Sequence, residues 1–505
     1  MKQPIIEVNN IVFKYPGADQ SVLNDISCHI HKGDFLAVIG GNGSGKSTFC
    51  KSIVGLVPQF IVGDFSGTVR VDGENIDELP ISDVAKKIGY VYQDFENQLV
   101  RPRVRDEVEF APLNFGCLDY KEKAQKALEQ VGIEHLADEF IWQLSGGQKH
   151  LLALASVLSL DPDVLILDEP IAQLDPLHGL EVYQLLKKLN EEYGKTIIVI
   201  EHHSKFIKNF CKQVLCLNEG QVVFHEPIAK CLENINELIK HSLLIKDKYD
   251  FSSQNLEEIS DEVLVKVENV SHTYKSVDRS THTSLNNVSL SFKAGEKVAI
   301  LGGNGAGKTT LMKLMTGLTR LRSGDIIIDN KSIKSQSIQA LAENITYLYQ
   351  NPEDMFLKDC IQKDIEMFPR SRQREYIDEL SYNIMTEFNL MQFKDRDGRL
   401  LSGGQQRRAT LAIGMAMTPS IMLLDEPTAS LDVNSRNELF KLLHLLKEQI
   451  KVVVIATHDL SLVTEWANRV IVMSKGQVVL DTTPQEFIES KIDMKQWGLL
   501  KEEVV

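Results

Sequence analysis

Along this chain, short blocks of uninterrupted apolar residues alternate with longer stretches in which apolar residues recur every three or four positions. FLAVIG (35–40), VLILD (164–168) and TIIVI (196–200) are of the first kind, and QKHLLALASVLS (148–159) is of the second. A strand with one wet face would alternate apolar and polar; a run apolar throughout is buried on both faces, as in a parallel sheet covered by helices. The pattern predicts an α/β fold. The most apolar uncharged window, LLALASVLSL (151–160), is too short to span a bilayer. Residues 228–245, IAKCLENINELIKHSLLI, keep helical spacing, whereas HSLLIKDKYDFSSQNLEEISDE (241–262) is polar, net acidic and without strong periodicity.

The pattern is written twice. EVNNIVFKY (7–15) returns as KVENVSHTY (266–274), LSGGQ at 144 returns at 401, and VLILDEP at 164 returns as IMLLDEP at 421. Spacing is kept as well: Gln93 to Ser145 and Gln350 to Ser402 are both 52 residues, and Ser145 to Asp168 and Ser402 to Asp425 both 23. A unit this long is a duplicated domain rather than a solenoid repeat. The expected organisation is a first domain over 1–240, a linker over 241–262 and a second domain over 263–505, in line with a length of 505 residues. A formal net charge of −15 argues against a nucleic-acid partner. The seven cysteines form no CxxC pair and read as reduced thiols. The opening MKQPIIEVNN lacks the basic region and apolar core of a signal peptide.

Two segments then change the picture from fold to chemistry. GGNGSGKS (40–47) and GGNGAGKT (302–309) fit G-x-x-x-x-G-K-[ST], each between an apolar strand and a helical stretch. Glycines there let backbone N–H groups point at phosphate oxygens, a lysine neutralises charge, and the hydroxyl reaches Mg²⁺. The candidate ATP-binding residues are Gly40, Asn42, Gly43, Ser44, Gly45, Lys46, Ser47 and Thr48, and Gly302, Asn304, Gly305, Ala306, Gly307, Lys308, Thr309 and Thr310. The strand-ending carboxylates supply the rest: Asp168 or Asp425 to hold the metal, Glu169 or Glu426 to polarise the attacking water.

LSGGQ decides the family. With it the chain resembles the ATP-binding cassette (ABC) ATPases over nearly all of both halves. The resemblance implies two tandem P-loop NTPase domains, each with a mainly parallel core sheet, an antiparallel β subdomain and a helical subdomain. It implies ATP hydrolysis with ATP and Mg²⁺ as cofactors, in two sites closed head-to-tail. Ser145, Gly146, Gly147 and Gln148 would complete the site of Lys308, and Ser402, Gly403, Gly404 and Gln405 that of Lys46. By the same resemblance Tyr15 and Tyr274 stack on adenine, Asp175 and Asp432 lie in the loop coupling the sites, and His202 and His458 contact the γ-phosphate. Gln93 and Gln350 reach metal and water, which makes Ser47, Gln93 and Asp168, with Thr309, Gln350 and Asp425, the expected metal positions. The first half departs at Glu201, Ile171 and Gln173, which replace two threonines and a serine; a carboxylate at Glu201 is expected to favour protonated His202.

The stretch after each glutamine narrows the type. YVYQDFENQLVRPRVRDEVEFAPLNFG (90–116) resembles the energy-coupling factor (ECF) transporter ATPases in Gln93, Glu96, Gln98, Asp106-Glu107-Val108, Phe110 and Pro112-Leu113-Asn114, with Phe95 for the usual proline. The second half keeps Gln350 through Asp354 and Asp364-Ile365, then departs at EMFPR. This resemblance implies a transmembrane coupling subunit and a substrate-binding membrane subunit as partners. The chain would then be peripheral, on the cytoplasmic face of the cell membrane. The acids Asp94, Glu96, Asp106 and Glu107, with Glu353, Asp354 and Asp364, are expected to form the docking groove. The rival is a soluble twin-cassette ATPase acting on ribosomes. Those carry a long basic linker, but residues 241–262 hold two lysines against six acids.

Overall fold

The computed structural model describes residues 4–172, 174–233, 259–275, 281–429, 431, 433–490 and 492–499. Most of the expected linker, Gln173 and Asp432 lie outside the described residues. The chain divides into two compact units, one holding the described residues up to 233 and the other those from 259 onward. In the first, strands Ile88–Val91, Val164–Asp168, Thr196–Ile200, Phe35–Ile39 and Gln213–Asn218 lie parallel, and Gln221–Pro227 closes the sheet antiparallel. A separate antiparallel sheet runs Leu23–His31, Pro4–Lys14, Asp64–Val71, Glu74–Asn75. The second unit repeats both sheets: Ile345–Leu348, Ile421–Asp425, Val452–Thr457, Lys297–Leu301, Arg469–Ser474 and Gln477–Thr482 make the six-stranded one.

The apolar runs are strands buried on both faces, as their composition predicts: every residue of Phe35–Ile39, Val164–Asp168 and Lys297–Leu301 is buried. Period-two alternation sends neighbours to different layers. Val298 and Ile300 pack with Val267 and Phe292 of the antiparallel sheet. Ala299 and Leu301 face the other way, in a cluster with Ile361 and Leu411. Those last residues belong to a helical group made of Ile361–Ser371, Ile377–Glu387 and Gly403–Ala416, matched in the first unit by Val104–Asn114, Tyr120–Val131 and Gly146–Leu158. The parallel sheet is thus sandwiched, and the C-terminal ends of its strands open where the conserved-length loops begin, the usual ligand side of an open α/β sheet. Among the described residues no helix is long and apolar enough to cross a membrane.

Candidate active sites

Each site begins at a glycine that must be a glycine. Gly45 (φ 97°) and Gly307 (φ 105°) sit in the left-handed region just before helices Lys46–Ile53 and Lys308–Met315. A Cβ there would come within 2.7 Å of the Val22 carbonyl oxygen or 2.5 Å of that of Ser284. The turn bends the loop so that Lys46 Nζ donates to the carbonyls of Gly40 (2.9 Å) and Gly41 (3.0 Å), and Lys308 Nζ to Gly302 (2.6 Å) and Gly303 (3.3 Å). Tyr15 and Tyr274 flank these helices, with hydrogen bonds to Thr48 (3.1 Å) and Thr310 (3.5 Å), and each keeps an exposed ring.

The metal-type positions meet in both units. Ser47 Oγ donates to Asp168 (3.3 Å) and Thr309 Oγ1 to Asp425 (2.7 Å). Burial pushes both aspartate carboxyls up from the ordinary carboxylate range, against the pull of these hydroxyls. Asp425 Oδ1 is buried with no hydrogen-bond partner among the described residues. A desolvated carboxylate oxygen beside an alcohol is the donor set a hard cation takes, so the residues fit Mg²⁺.

Next along each strand stands the candidate base, in strained backbone: Glu169 has φ 50° and Glu426 φ 43°. Glu169 is gripped at both oxygens, by Gln93 Nε2 at 2.6 Å and His202 Nε2 at 3.1 Å. Glu426 is held by cations instead, with Lys308 Nζ at 3.7 Å and His458 Nδ1 at 3.1 Å. Burial alone would raise Glu426, but His458 and Lys308 keep its carboxyl below the usual range; Glu426 in turn raises His458 against its own burial. Gln350 is not brought to Glu426: its side chain is exposed and makes no hydrogen bond among the described residues, while its backbone carbonyl accepts from Arg407 (2.9 Å).

The LSGGQ residues start helices Gly146–Leu158 and Gly403–Ala416. Ser145 and Ser402 are exposed caps whose N–H groups donate to Gln148 (2.9 Å) and Gln405 (3.1 Å). Gly147 and Gly404 have a packing reason beyond bare N–H groups. A Cβ at Gly404 would lie 2.2 Å from Ser435 Oγ, and one at Gly147 3.1 Å from the His178 ring. Gly146 and Gly403 face open space. Asp175 is buried, caps the helix from Pro176 and accepts both the N–H (3.0 Å) and Nδ1 (2.8 Å) of His178.

Two expectations are overturned. The Glu201 carboxylate is turned to His203 rather than to the His202 ring: Oε1 accepts the backbone N–H groups of His202 (2.8 Å) and His203 (2.9 Å) and lies 2.8 Å from His203 Nδ1, while Oε2 accepts from Tyr183 (2.5 Å). Glu201 therefore does what Thr457 does in the other unit, where Oγ1 accepts the N–H of Asp459 at 3.0 Å. Glu107 and Asp364 are not groove acids either. Both are buried, and each accepts two backbone N–H groups of the preceding loop, Val100 and Arg101 or Leu357 and Lys358. Glu96 is exposed but paired with Lys149 (2.8 Å). Sequence reasoning also missed Tyr90 and Tyr347, whose hydroxyls reach Asp168 and Asp425, and Arg407, whose counterpart is His150. The tyrosines had a signal, since YxYQ recurs at 90 and 347.

The ABC transporter family matches residues 23–172 and 285–429. The chain belongs to that family. A candidate ABC transporter ATP-binding protein of Methanosarcina mazei is 31% identical, covering 98% of this chain and 92% of its own length. One of Enterococcus faecalis is 30% identical, with 96% and 91% covered. Among solved structures, cbiO1 of Clostridium perfringens, part of the ABC transporter complex cbiONQ, is 32% identical at a TM-score of 0.43 and covers 48% of this chain and 96% of its own. The archaeal ribosome recycling factor aABCE1 aligns at a TM-score of 0.64 and 20% identity, with 94% and 90% covered. These ABC cassettes bind ATP with Mg²⁺ and hydrolyse it.

Proposed function

We propose that this ABC ATPase is the energy-coupling subunit of a membrane importer of the ECF type, taking up a vitamin, a vitamin precursor or a metal ion. The observation that carries this reading is the course of the segment after Gln93. At one end Gln93 holds the candidate base Glu169 at 2.6 Å; at the other the same segment presents exposed Asp94, Val100, Asp106 and Leu113. A change at the base is thereby one loop away from an apolar and acidic surface suited to a basic, amphipathic helix of a membrane subunit. The likeness to the recycling factor is one of fold alone, and the acidic linker counts against RNA. Charge reversal at Asp94, Asp106, Glu353 and Asp354, all exposed, tests the docking. The reversed chain should fail to co-purify with a co-expressed ECF-type transmembrane coupling subunit that the unaltered chain retains, yet keep its isolated ATPase rate. Normal recovery of the complex would sink the proposal; exposed pairs are worth about 0–1 kcal/mol each, so all four are changed together.

In the chemistry we infer, bound Mg·ATP supplies an electrophilic γ-phosphorus with its oxygen charge partly neutralised. Lys46 and Lys308 add positive charge at the phosphate loop. Ser47 with Asp168, and Thr309 with Asp425, would hold the metal. Glu169 and Glu426 take a proton from the attacking water, and His202 and His458 orient them and the γ-phosphate. Holding Glu426 ionised with two cations keeps its lone pair available at neutral pH. Ser145 and Gly147, and Ser402 and Gly404, present exposed helix starts able to close on a nucleotide held elsewhere. Ser402→Arg should then lower nucleotide trapping at the Lys46 site; loss confined to the Lys308 site would contradict head-to-tail closure.

A further inference from the structure

We propose that Tyr90 and Tyr347 are positioning residues for the metal: each phenol fixes the rotation of the aspartate that holds it. The proposal rests on the reading of Asp168 and Asp425 as metal positions. Tyr90 lies on the edge strand Ile88–Val91, opposite Ile166, and Tyr347 on Ile345–Leu348, opposite Leu423. Each side chain reaches past its own register partner to the carboxylate two residues on, at the strand's end. Tyr90 OH donates to Asp168 Oδ2 at 2.9 Å and Tyr347 OH to Asp425 Oδ2 at 2.7 Å. The same contact is kept in both cassettes.

A carboxylate torsion is broad and nearly two-fold, so an aspartate needs outside partners to present one chosen oxygen. In the second cassette Tyr347 and Thr309 both donate to Oδ2, which leaves Oδ1 buried and unpartnered. In the first cassette the phenol likewise takes Oδ2 and Ser47 donates to Oδ1, so in both copies the phenol fixes which oxygen faces the phosphate-loop hydroxyl side. In the first cassette the chain runs on from this tyrosine to the candidate base: Tyr92 packs edge-on against Tyr90 at 4.8 Å and the next residue, Gln93, holds Glu169; Tyr349 packs in the same way against Tyr347 at 4.9 Å.

The test is Tyr90→Phe with Tyr347→Phe in the full chain, which keeps the ring and removes only the donor. Mn²⁺ affinity is read by paramagnetic resonance with a non-hydrolysable ATP analogue, and nucleotide affinity separately in EDTA. Loss of one neutral hydrogen bond predicts Mn²⁺ affinity weakened about fivefold, with metal-free nucleotide binding unchanged and the apparent KM for Mg²⁺ raised more than kcat falls. Each single variant should show the effect at its own site, and these serve if the double variant folds poorly. Mn²⁺ affinity equal to wild type would overturn the proposal, as would a parallel loss of metal-free nucleotide binding, the mark of a merely structural role. Asp168→Asn with Asp425→Asn separates the two readings. If it retains Mn²⁺, the metal assignment itself fails and takes the proposal with it; if it loses Mn²⁺ while the phenylalanine variants keep it, only the tyrosine proposal fails.

Discussion

Mild acid should loosen the first cassette through His150. This residue lies on helix Gly146–Leu158 at 1% exposure, with its ring edge-on to Phe95 at 5.0 Å, two residues after Gln93. Burial pushes its imidazole down to about 4. An unfolded histidine takes its proton near 6.5, the native one only near 4, so between those values the unfolded chain binds more protons and stability falls as pH falls. At pH 5 the difference in proton binding amounts to about 2 kcal/mol, and it reaches roughly 3 kcal/mol near pH 4. For a domain of this size 2 kcal/mol is a drop of about 4–8 °C in Tm. Melting curves of the full chain at pH 7.5, 6 and 5 should show this drop in the first transition, and His150→Leu, still able to pack on Phe95, should remove it. Half-buried histidines such as His225 are common to both proteins and cancel in the comparison. Identical pH slopes for wild type and variant between 6.5 and 5 would refute the reasoning.

Glu169→Gln combined with Glu426→Gln should abolish steady-state turnover while ATP binding survives, since phosphate and metal positions are untouched; near-normal hydrolysis removes these carboxylates from the role of base. Glu107→Ala removes the buried carboxylate that accepts the N–H groups of Val100 and Arg101 and should cost about 2–4 kcal/mol in urea unfolding, whereas Asp106→Ala, exposed one residue earlier, should cost less than about 0.5 kcal/mol; equal effects would restore Glu107 to the surface. Arg407→Met removes donors to the carbonyls of Tyr349 (3.2 Å) and Gln350 (2.9 Å), so amide exchange over 349–356 should speed up at least tenfold, and unchanged exchange would show that the guanidinium does not hold the loop.

The sheet and the P-loops were legible because they rest on period and on residue types with one use. Five apolar residues in a row have few fates, and G-x-x-x-x-G-K-S between strand and helix has fewer. Direction was harder to read. Asp106 and Glu107 are neighbours of the same charge, yet one faces solvent and the other turns back from the helix's first turn onto its preceding loop. Composition carries no such distinction. The Glu201 expectation failed on the same ground: in extended backbone, adjacent side chains point opposite ways, so Glu201 shares a side with His203 and not with His202. Arg407 and His150 were passed over because the chemistry of LSGGQ sits at the helix start, while their work is done a turn later, against the glutamine loop.

Duplication supplies an internal comparison that separates requirement from solution. Strained glutamates, phenols on the strand-end aspartates, and a buried acid holding the loop before helix Val104–Asn114 or Ile361–Ser371 occur in both copies. The fastenings differ. Where the second cassette ties its glutamine loop to the signature helix with the Arg407 guanidinium, the first packs neutral His150 on Phe95 and adds the exposed pair Lys149–Glu96. The two candidate bases differ to match, Glu169 lying against the Gln93 amide and Glu426 against the Lys308 ammonium. A buried charged donor on a backbone carbonyl is roughly twice as strong as a neutral contact, and an exposed ion pair weaker than either. The first cassette's glutamine loop is therefore the more easily displaced of the two. It is also the loop that holds its candidate base, so a displacement from outside at Phe95 or Glu96 reaches Glu169 through Gln93 alone. Among the described residues no glutamine-loop side chain reaches Glu426, whose cationic partners belong to the P-loop and the histidine turn.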